Sequence, residues 1–309
     1  MSVRKEFTYL SSDGKTPLYG ICWIPDEEPV AILQIVHGVT EYIGRYEPLA
    51  RYLSSNGIMV VGADLLGHGL SYIENNKMYF GPEGSWEIVV KDVSQLFNLM
   101  KESYEKLPYF IMGFSLGSFA VRHFLLENSS KVNGAIIMGT GYQSKMVTKI
   151  MYAIAKIVGK ITGEDKTSKF ITKLTFGTYN QTVKNPKTEY DWLSSSKEEV
   201  MLYQKDSNIG GSMTAGLFRD LIYGMEVTCD KENIKKMSKD ISVLFVSGEN
   251  DPVGDMTNGV LTTEYLFRTE AGIQDTEIVF FSGNRHDILH DTEKESVYKL
   301  LSDWMFWRL

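Results

Sequence analysis

Apolar and polar segments alternate along the 309-residue chain in a way that predicts eight β-strands. The predicted strands cover residues 6–11, 18–25, 31–38, 58–64, 109–113, 132–139, 241–248 and 276–283. From the third strand onward they alternate with amphipathic helices, which include one over about 45–56, one beginning near Trp86, and a last one carrying Val297, Leu300, Leu301 and Trp304 on one face. This alternation is typical of an α/β fold with a mostly parallel sheet flanked by helices.

One long segment, residues 142–235, has helical periodicity but no strand alternation. We therefore predict a core made of residues 1–141 and 236–309, with a helical cap inserted after the sixth strand. Within 144–163, Met146, Ile150 and Ile154 fall on one helical face, and lysines cluster on another. We favour a lid whose apolar face covers the substrate, and we keep as an alternative a basic helix that lies on a membrane surface.

Composition narrows the class of protein. The net charge of −7 and the scattered basic residues argue against a nucleic acid partner. Cys22 and Cys229 have no CxxC spacing, so we expect neither a disulfide framework nor a zinc site. The chain has no apolar signal core and no window that reaches the roughly 18 apolar residues of a membrane span. We expect a soluble, cytoplasmic protein, peripheral to a membrane if the cap contacts one. The sequence does not indicate its oligomeric state.

The segment PYFIMGFSLGSFAVRHFL places Ser115 between a predicted strand and a predicted helix. A Gly-x-Ser-x-Gly sequence is often plain turn chemistry, but this context favours a nucleophile held clear of the sheet on a tight turn. Gly113 and Gly117 fit that interpretation, because the strand and helix backbones crowd together at such a turn.

A serine nucleophile needs a base, and the chain has five histidines. His37 and His68 lie in glycine-containing loops and suit a hydrogen-bonding role, whereas His123 lies on the helix after the serine. His286 and His290 remain, just beyond the last strand. We favour His286, which is closer to the edge of the sheet where Ser115 emerges.

The orienting acid should lie on a neighbouring loop, and the seventh strand ends in SGENDPVGD. Asp251 is our candidate, and Asp255 and Glu249 are alternatives. The chain order Ser, Asp, His is that of the α/β-hydrolases. For the oxyanion hole we expect the backbone N–H groups of Leu116, which follows the nucleophile, and of Val39, in the loop after the third strand.

These motifs resemble those of the monoacylglycerol lipase and lysophospholipase branch of the α/β-hydrolases. HGVTEYIGRYEPLA, DLLGHGLS, GFSLGS, NDPVGD and RHDILHD carry the resemblance, and TEYDWLS and KEEVMLYQKD in the insertion look like bacterial members. The resemblance implies a triad of Ser115, Asp251 and His286, a cap over an acyl-binding pocket, and no cofactor or metal. It implies esters of single-chain lipids as substrates. A general carboxylesterase of small esters and an idle lipid-binding relative are the alternatives.

The chain departs from this pattern at two positions. Phe114 stands where monoacylglycerol lipases usually have His, and Thr40 stands where many relatives have Gly. We therefore expect Phe114 to contact the substrate and several headgroups to be tolerated. Glu41 and Arg45 could bind a polar headgroup, but we favour an ion pair that braces the oxyanion loop.

Overall fold

The computed structural model describes residues 2–73, 76–209 and 211–309. Within these ranges eight strands form one sheet in the order β1-β2-β4-β3-β5-β6-β7-β8. The strands are β1 (Val3–Leu10), β2 (Pro17–Ile24), β3 (Ala31–Val36), β4 (Ile58–Ala63), β5 (Tyr109–Phe114), β6 (Gly134–Met138), β7 (Ser242–Gly248) and β8 (Thr276–Phe281). Strand β2 pairs antiparallel with β1 and β4, and the pairs from β4 through β8 are parallel. The predicted fold class is confirmed, although β1 begins three residues before the predicted strand.

Ten α-helices lie in the described ranges. They are α1 (Glu47–Ser55), α2 (Ser85–Ser103), α3 (Leu116–Asn128), α4 (Lys145–Thr162), α5 (Lys169–Phe176), α6 (Lys197–Lys205), α7 (Ala215–Cys229), α8 (Lys231–Ile234), α9 (Asn258–Thr269) and α10 (Lys294–Phe306). The helix predicted from residue 45 starts as a 3₁₀ turn over Ile43–Tyr46 and becomes α-helical at Glu47. Pro48 is compatible with that start, because the N–H groups of a first helical turn need no partner within the helix.

Helices cover both faces of the sheet. Every residue of β3, β4, β5 and β6 is buried. One apolar cluster joins a face of the sheet to α2, α3 and α7, and a second joins the other face to α1 and α10. Because the central strands are parallel, their carboxyl ends lie at one edge of the sheet, where loops can bring distant residues together.

The chain between β6 and β7 is helical in its described parts, and its only strand-like contact there is the bridge between Thr167 and Thr214. Helix α4 packs chiefly against α7 and buries a face of small residues, Thr148, Ala155 and Gly159. A Cβ atom on Gly159 would lie only 3.6 Å from the Ala215 Cβ, so the two helices approach closely. None of the helices in the described ranges combines the length and apolar character needed to cross a bilayer.

Candidate active site

Ser115 occupies the sharp turn between β5 and α3 with φ of 52° and ψ of −119°. A side chain rarely adopts this conformation, and such strain persists only where the surroundings enforce it. The two flanking glycines permit the turn. A Cβ atom on Gly113 would lie 2.3 Å from the Gly117 carbonyl oxygen, and one on Gly117 would lie 2.0 Å from the Val36 carbonyl oxygen. The Ser115 N–H donates to the Met138 carbonyl at 3.0 Å, which ties the turn to β6.

Two further loops bring His286 and Asp251 to this serine. The His286 Nε2 atom lies 2.9 Å from the Ser115 Oγ, and its Nδ1 atom lies 2.9 Å from an Asp251 carboxylate oxygen. The carboxylate also accepts hydrogen bonds from the Val253 N–H at 2.8 Å and the Ser247 hydroxyl at 3.2 Å. An ionised carboxylate can only accept, so Nδ1 carries the proton and Nε2 is left with a lone pair toward the hydroxyl.

The alternative acids are not part of this arrangement. Glu249 accepts a hydrogen bond from the Ser282 hydroxyl on the surface, and Asp255 is exposed. Asp251, in contrast, is fully buried behind His286. The structure therefore brings together the three residues that the sequence favoured.

The other four histidines are all described, and each has different partners. His290 lies between the Asp287 carboxylate and the Arg45 carbonyl. The His123 Nδ1 atom accepts from the Trp86 indole at 2.9 Å. His37 is completely buried and accepts from the Leu65 N–H at 2.8 Å. Burial, followed by the proximity of His68, lowers the pKa of His37 to about 3, so it remains neutral and serves as a fixed hydrogen-bonding group.

The loop after β3 carries Val39 along the same cavity as Ser115. Its backbone comes close to the serine, since a Cβ atom on Gly38 would lie 3.2 Å from the Ser115 Cβ. On the other side of the serine, Leu116 is the first residue of α3, so its N–H has no acceptor within the helix. Both N–H groups that the sequence suggested as oxyanion donors thus belong to segments beside the Ser115 side chain.

Glu41 and Arg45 form a buried ion pair with an N–O distance of 3.1 Å, and Arg45 also contacts the Asp287 carboxylate at 2.8 Å. The Glu41 carboxylate accepts from the Gly38 N–H and from the Tyr46 hydroxyl. Burial raises the pKa of Glu41, and Arg45 offsets part of that effect. Burial by itself would raise the pKa of Asp287. The interactions with His290 and Arg45 are larger together than this effect of burial, and they hold the pKa of Asp287 below its ordinary value. This geometry is that of an ion pair bracing the loop, while Glu41 also reaches the cavity wall.

A cavity of about 640 Å³ opens over the Ser115 side chain. Its lining combines aromatic and aliphatic side chains with charged and polar ones. The apolar group is Val39, Phe114, Phe176, Tyr190, Trp192, Leu193 and Tyr203, and the charged group is Glu41, Lys169, Lys173, Glu189 and Asp287. The rings of Phe114 and Trp192 both contact the His286 ring, with centroid distances of 4.8 and 5.2 Å. The imidazole is therefore held between two aromatic side chains.

Sequence reasoning missed several of these side chains as individual residues. Tyr190 and Trp192 lie in TEYDWLS, and Tyr203 lies in KEEVMLYQKD, two segments whose resemblance to bacterial relatives does not by itself assign a role to any one residue. Asp287, which directly follows His286, was missed as well. In each case the sequence signal that could have indicated the residue was its position in or next to a motif that carries the family resemblance.

The prediction that Met146, Ile150 and Ile154 cover the substrate is wrong for this structure. None of the three lines the cavity, and Met146 and Ile150 are 70% and 54% exposed. The physical reason is the close packing of the small-residue face of α4 against α7, which turns the apolar stripe of α4 toward solvent. Residues from α5, from α6 and from the segment between them line the cavity instead.

Comparison with known proteins places the chain in a family. The family model described as serine aminopeptidase, S33, matches residues 27–293. The chain belongs to this family. A monoglyceride lipase homolog of Monkeypox virus is 27% identical, with 94% of this chain and 95% of the relative covered. Human monoglyceride lipase is 26% identical, with 96% and 88% covered.

A solved structure with the same fold is a highly thermostable carboxyl esterase from Bacillus coagulans in complex with glycerol. It is 23% identical and superposes with a TM-score of 0.90 over 99% of this chain and 98% of the esterase. The predicted resemblance to the monoacylglycerol lipase branch of the α/β-hydrolases is confirmed. The chain is a carboxylic ester hydrolase.

Proposed function

We propose that this family member hydrolyses esters of single-chain lipids through an acyl-enzyme on Ser115. The observation that carries the proposal is the hydrogen-bonded series of Ser115, His286 and Asp251 at the base of a cavity walled by aromatic side chains. A cavity of about 640 Å³ that is lined in part by Phe, Tyr and Trp side chains has the size and the apolar surface to hold one acyl chain. The relatives named as monoglyceride lipases support the same substrate class.

In the acylation step, the Ser115 Oγ attacks the ester carbonyl carbon while the His286 Nε2 takes the hydroxyl proton. Asp251 stabilises the imidazolium that forms. The carbonyl oxygen becomes an oxyanion facing the Val39 and Leu116 N–H groups, whose hydrogen bonds strengthen as its charge develops. When the tetrahedral intermediate collapses, the bond to the alcohol oxygen breaks, and His286 gives its proton to the leaving alcohol.

Deacylation repeats the same chemistry with water as the nucleophile. His286 takes a proton from water as the water oxygen attacks the acyl carbon, and a second tetrahedral intermediate forms over the same two N–H groups. Its collapse breaks the bond to the Ser115 Oγ, which regains a proton from His286. A fatty acid leaves, and the enzyme returns to its starting state.

We assign residues 142–235 to the cap of this enzyme and residues 1–141 and 236–309 to its core. The cap supplies Phe176, Trp192 and Tyr203 to the cavity wall, so it shapes the space that an acyl chain would fill. Lys169 and Lys173 extend from the same insertion at the rim. They are exposed, and the described residues place no carboxylate within 4 Å of either ammonium group.

The exposed side of α4 suits an anionic membrane surface as a docking partner. Met146, Ile150 and Ile157 on this helix are more than half exposed, which is unusual for large apolar side chains on a helix. Lys149 and Lys160 are exposed nearby and have no carboxylate within ion-pair distance in the part of the chain that the structure describes. An apolar stripe beside free lysines is the pattern of a helix lying in a lipid interface. Contact there would hold the enzyme at the surface where lipid esters partition.

Ser115→Ala tests the catalytic part of the proposal. We expect hydrolysis of a soluble ester to fall by about a thousandfold or more in kcat, and labelling by a fluorophosphonate probe to be lost. Ser55→Ala, which changes an exposed serine on α1, is the matched control and should keep both. A Ser115→Ala variant that retains half of the activity would contradict the acyl-enzyme mechanism.

A substrate panel tests the lipid part. It compares monoacylglycerols, lysophospholipids and short p-nitrophenyl esters under the same conditions. Preference for the single-chain lipids supports the proposal. Equal or better turnover of acetyl esters would favour a general carboxylesterase, the activity named for the Bacillus coagulans neighbour.

A further inference from the structure

Thr40 has a backbone conformation that side chains of its type avoid. Its φ is +66°, in the left-handed region, although threonine is β-branched. Glycine would adopt such a φ without steric cost. The chain therefore keeps a strained residue where a relaxed one would fit. Strain of this kind persists when another interaction over-determines the conformation.

That interaction is a hydrogen bond across the cavity wall to the helical insertion. The Thr40 Oγ1 atom lies 2.7 Å from the Tyr203 hydroxyl oxygen, and either group can donate. Both residues are buried, at 7% and 8% exposure. Burial raises the pKa of Tyr203, so its hydroxyl keeps its proton at neutral pH. The Tyr203 ring lies 5.0 Å from the Arg45 guanidinium carbon and 5.3 Å from the Tyr190 ring, so its position is fixed.

The hydrogen bond acts on the loop that presents the oxyanion donor. Thr40 directly follows Val39, whose N–H is one of the two donors in the proposed function. On the core side, Glu41 holds the loop by accepting from the Gly38 N–H. On the insertion side, Tyr203 in α6 holds the loop through Thr40. Tyr42, which follows Glu41 in the loop, also donates a hydrogen bond from its hydroxyl to the Asp206 carboxylate at 2.7 Å, and Asp206 directly follows α6.

We infer that Thr40 and Tyr203 are positioning residues: their hydrogen bond makes helix α6 hold the Val39 N–H where the oxyanion forms. The inference rests on the proposed function, because it assigns Val39 a role in that reaction. It adds that catalysis depends on a contact between the helical insertion and the oxyanion loop. A relative with glycine at this position lacks the threonine hydroxyl and cannot make this contact.

The test compares Thr40→Val, which keeps the β-branched shape without the hydroxyl, with Thr40→Ser, which restores a hydroxyl. Tyr203→Phe and the double variant Thr40→Val/Tyr203→Phe complete a double-mutant cycle. Tyr152→Phe is the matched control, because Tyr152 also donates a hydrogen bond from the insertion to another segment, at Glu83, away from the cavity. The measurements are kcat and KM on a soluble hexanoyl ester, and the binding of a trifluoromethyl ketone, which forms an oxyanion on attack by Ser115.

We expect Thr40→Val and Tyr203→Phe each to lower kcat about tenfold with KM within twofold of wild type. This is less than the hundredfold or more expected when an oxyanion donor is lost outright. The trifluoromethyl ketone should bind about tenfold more weakly, whereas a non-hydrolysable ether analogue should bind as before. The double variant should be no worse than either single variant, Thr40→Ser should recover most of kcat, and Tyr152→Phe should match wild type.

A rise in KM with unchanged kcat, additive losses in the double variant, or an equal loss of ether-analogue binding would overturn the inference. Tyr203→Phe keeps the test valid if Thr40→Val does not fold. The two proposals fail separately. Activity in Ser115→Ala would remove the proposed function, whereas an inactive Ser115→Ala beside a fully active Tyr203→Phe would remove only the inference about Thr40.

Discussion

Replacing Ile150 and Ile157 together by glutamine should weaken binding to anionic vesicles about 30-fold. The two side chains are 54% and 59% exposed on the outer face of α4. Full burial of an isoleucine is worth roughly 2 kcal/mol, so insertion of the exposed half of each into a lipid interface is worth about 1 kcal/mol. Two such side chains contribute about 2 kcal/mol, which corresponds to a change of about 30-fold in a partition coefficient.

The assay is co-sedimentation with vesicles that contain phosphatidylserine, at low salt. Val30→Gln/Leu261→Gln is the matched control, because those two apolar residues are 43% and 44% exposed but lie outside the insertion. Lys149→Gln/Lys160→Gln should also weaken binding to these vesicles, by about 1 kcal/mol for each lysine, and should have little effect on neutral vesicles. All of these variants should keep wild-type kcat on a soluble ester, because none of the residues lines the cavity.

Wild-type binding by Ile150→Gln/Ile157→Gln would refute the reasoning, and so would an equal loss in the Val30→Gln/Leu261→Gln control. The first result would mean that the exposed apolar stripe does not enter lipid. The second would mean that vesicle binding follows overall surface hydrophobicity and not the position of α4.

Three further predictions concern the chemistry and its scaffold. His286→Ala should lower kcat about as much as Ser115→Ala does. Asp251→Ala should lower kcat somewhat less, and His290→Ala should lower it least. An inactive His290→Ala together with an active His286→Ala would reverse our choice of base. In ester hydrolysis, kcat/KM should rise by up to roughly fourfold per acyl methylene until the cavity is full, because burial of each methylene is worth about 0.8 kcal/mol. A flat profile of kcat/KM from acetyl to palmitoyl esters would exclude an acyl pocket. Because the pKa of His37 is lowered in the folded protein, the unfolded chain binds a proton at this residue first as pH falls below about 6.5. The contribution of His37 to the free energy of unfolding is therefore fully present above pH 6.5 and is lost as pH falls toward 3. Denaturant titrations should therefore show the stability advantage of wild type over His37→Asn shrinking by about 2 kcal/mol between pH 6.5 and 5, whereas a constant difference would contradict the shift.

The sequence is informative where chemistry depends on local backbone. The turn at Ser115 needs small residues on both sides for steric reasons, so Gly113 and Gly117 mark it in the sequence. His286 and Asp251 are accessible to sequence reasoning because parallel strands end at one edge of the sheet, which limits where partners can lie. The central strands β3 to β7 are visible because buried parallel strands form continuous apolar runs.

The wall of the site could not be derived in the same way. Trp192 contacts His286, and Tyr203 contacts Thr40, across separations of 94 and 163 residues. No periodicity within either segment records such a pairing, because it depends on how the insertion folds over the core. The strain at Thr40 is equally hidden, since a threonine in a loop gives no sign of a positive φ until its partner is known.

Helix α4 shows most directly why an apolar stripe does not by itself identify what it faces. The spacing of Met146, Ile150 and Ile154 predicts a helical face, and that face exists, but the helix packs through Thr148, Ala155 and Gly159 on its other side. Small residues allow two helices to approach closely, so dispersion contacts along α7 compensate for the larger hydrophobic area left in water. A stripe of large apolar residues opposite a stripe of small ones thus offers two packing surfaces, and periodicity cannot choose between them. In this chain the small surface is used inside the protein and the large one is left exposed, and the vesicle experiment tests whether that exposed surface enters a lipid interface.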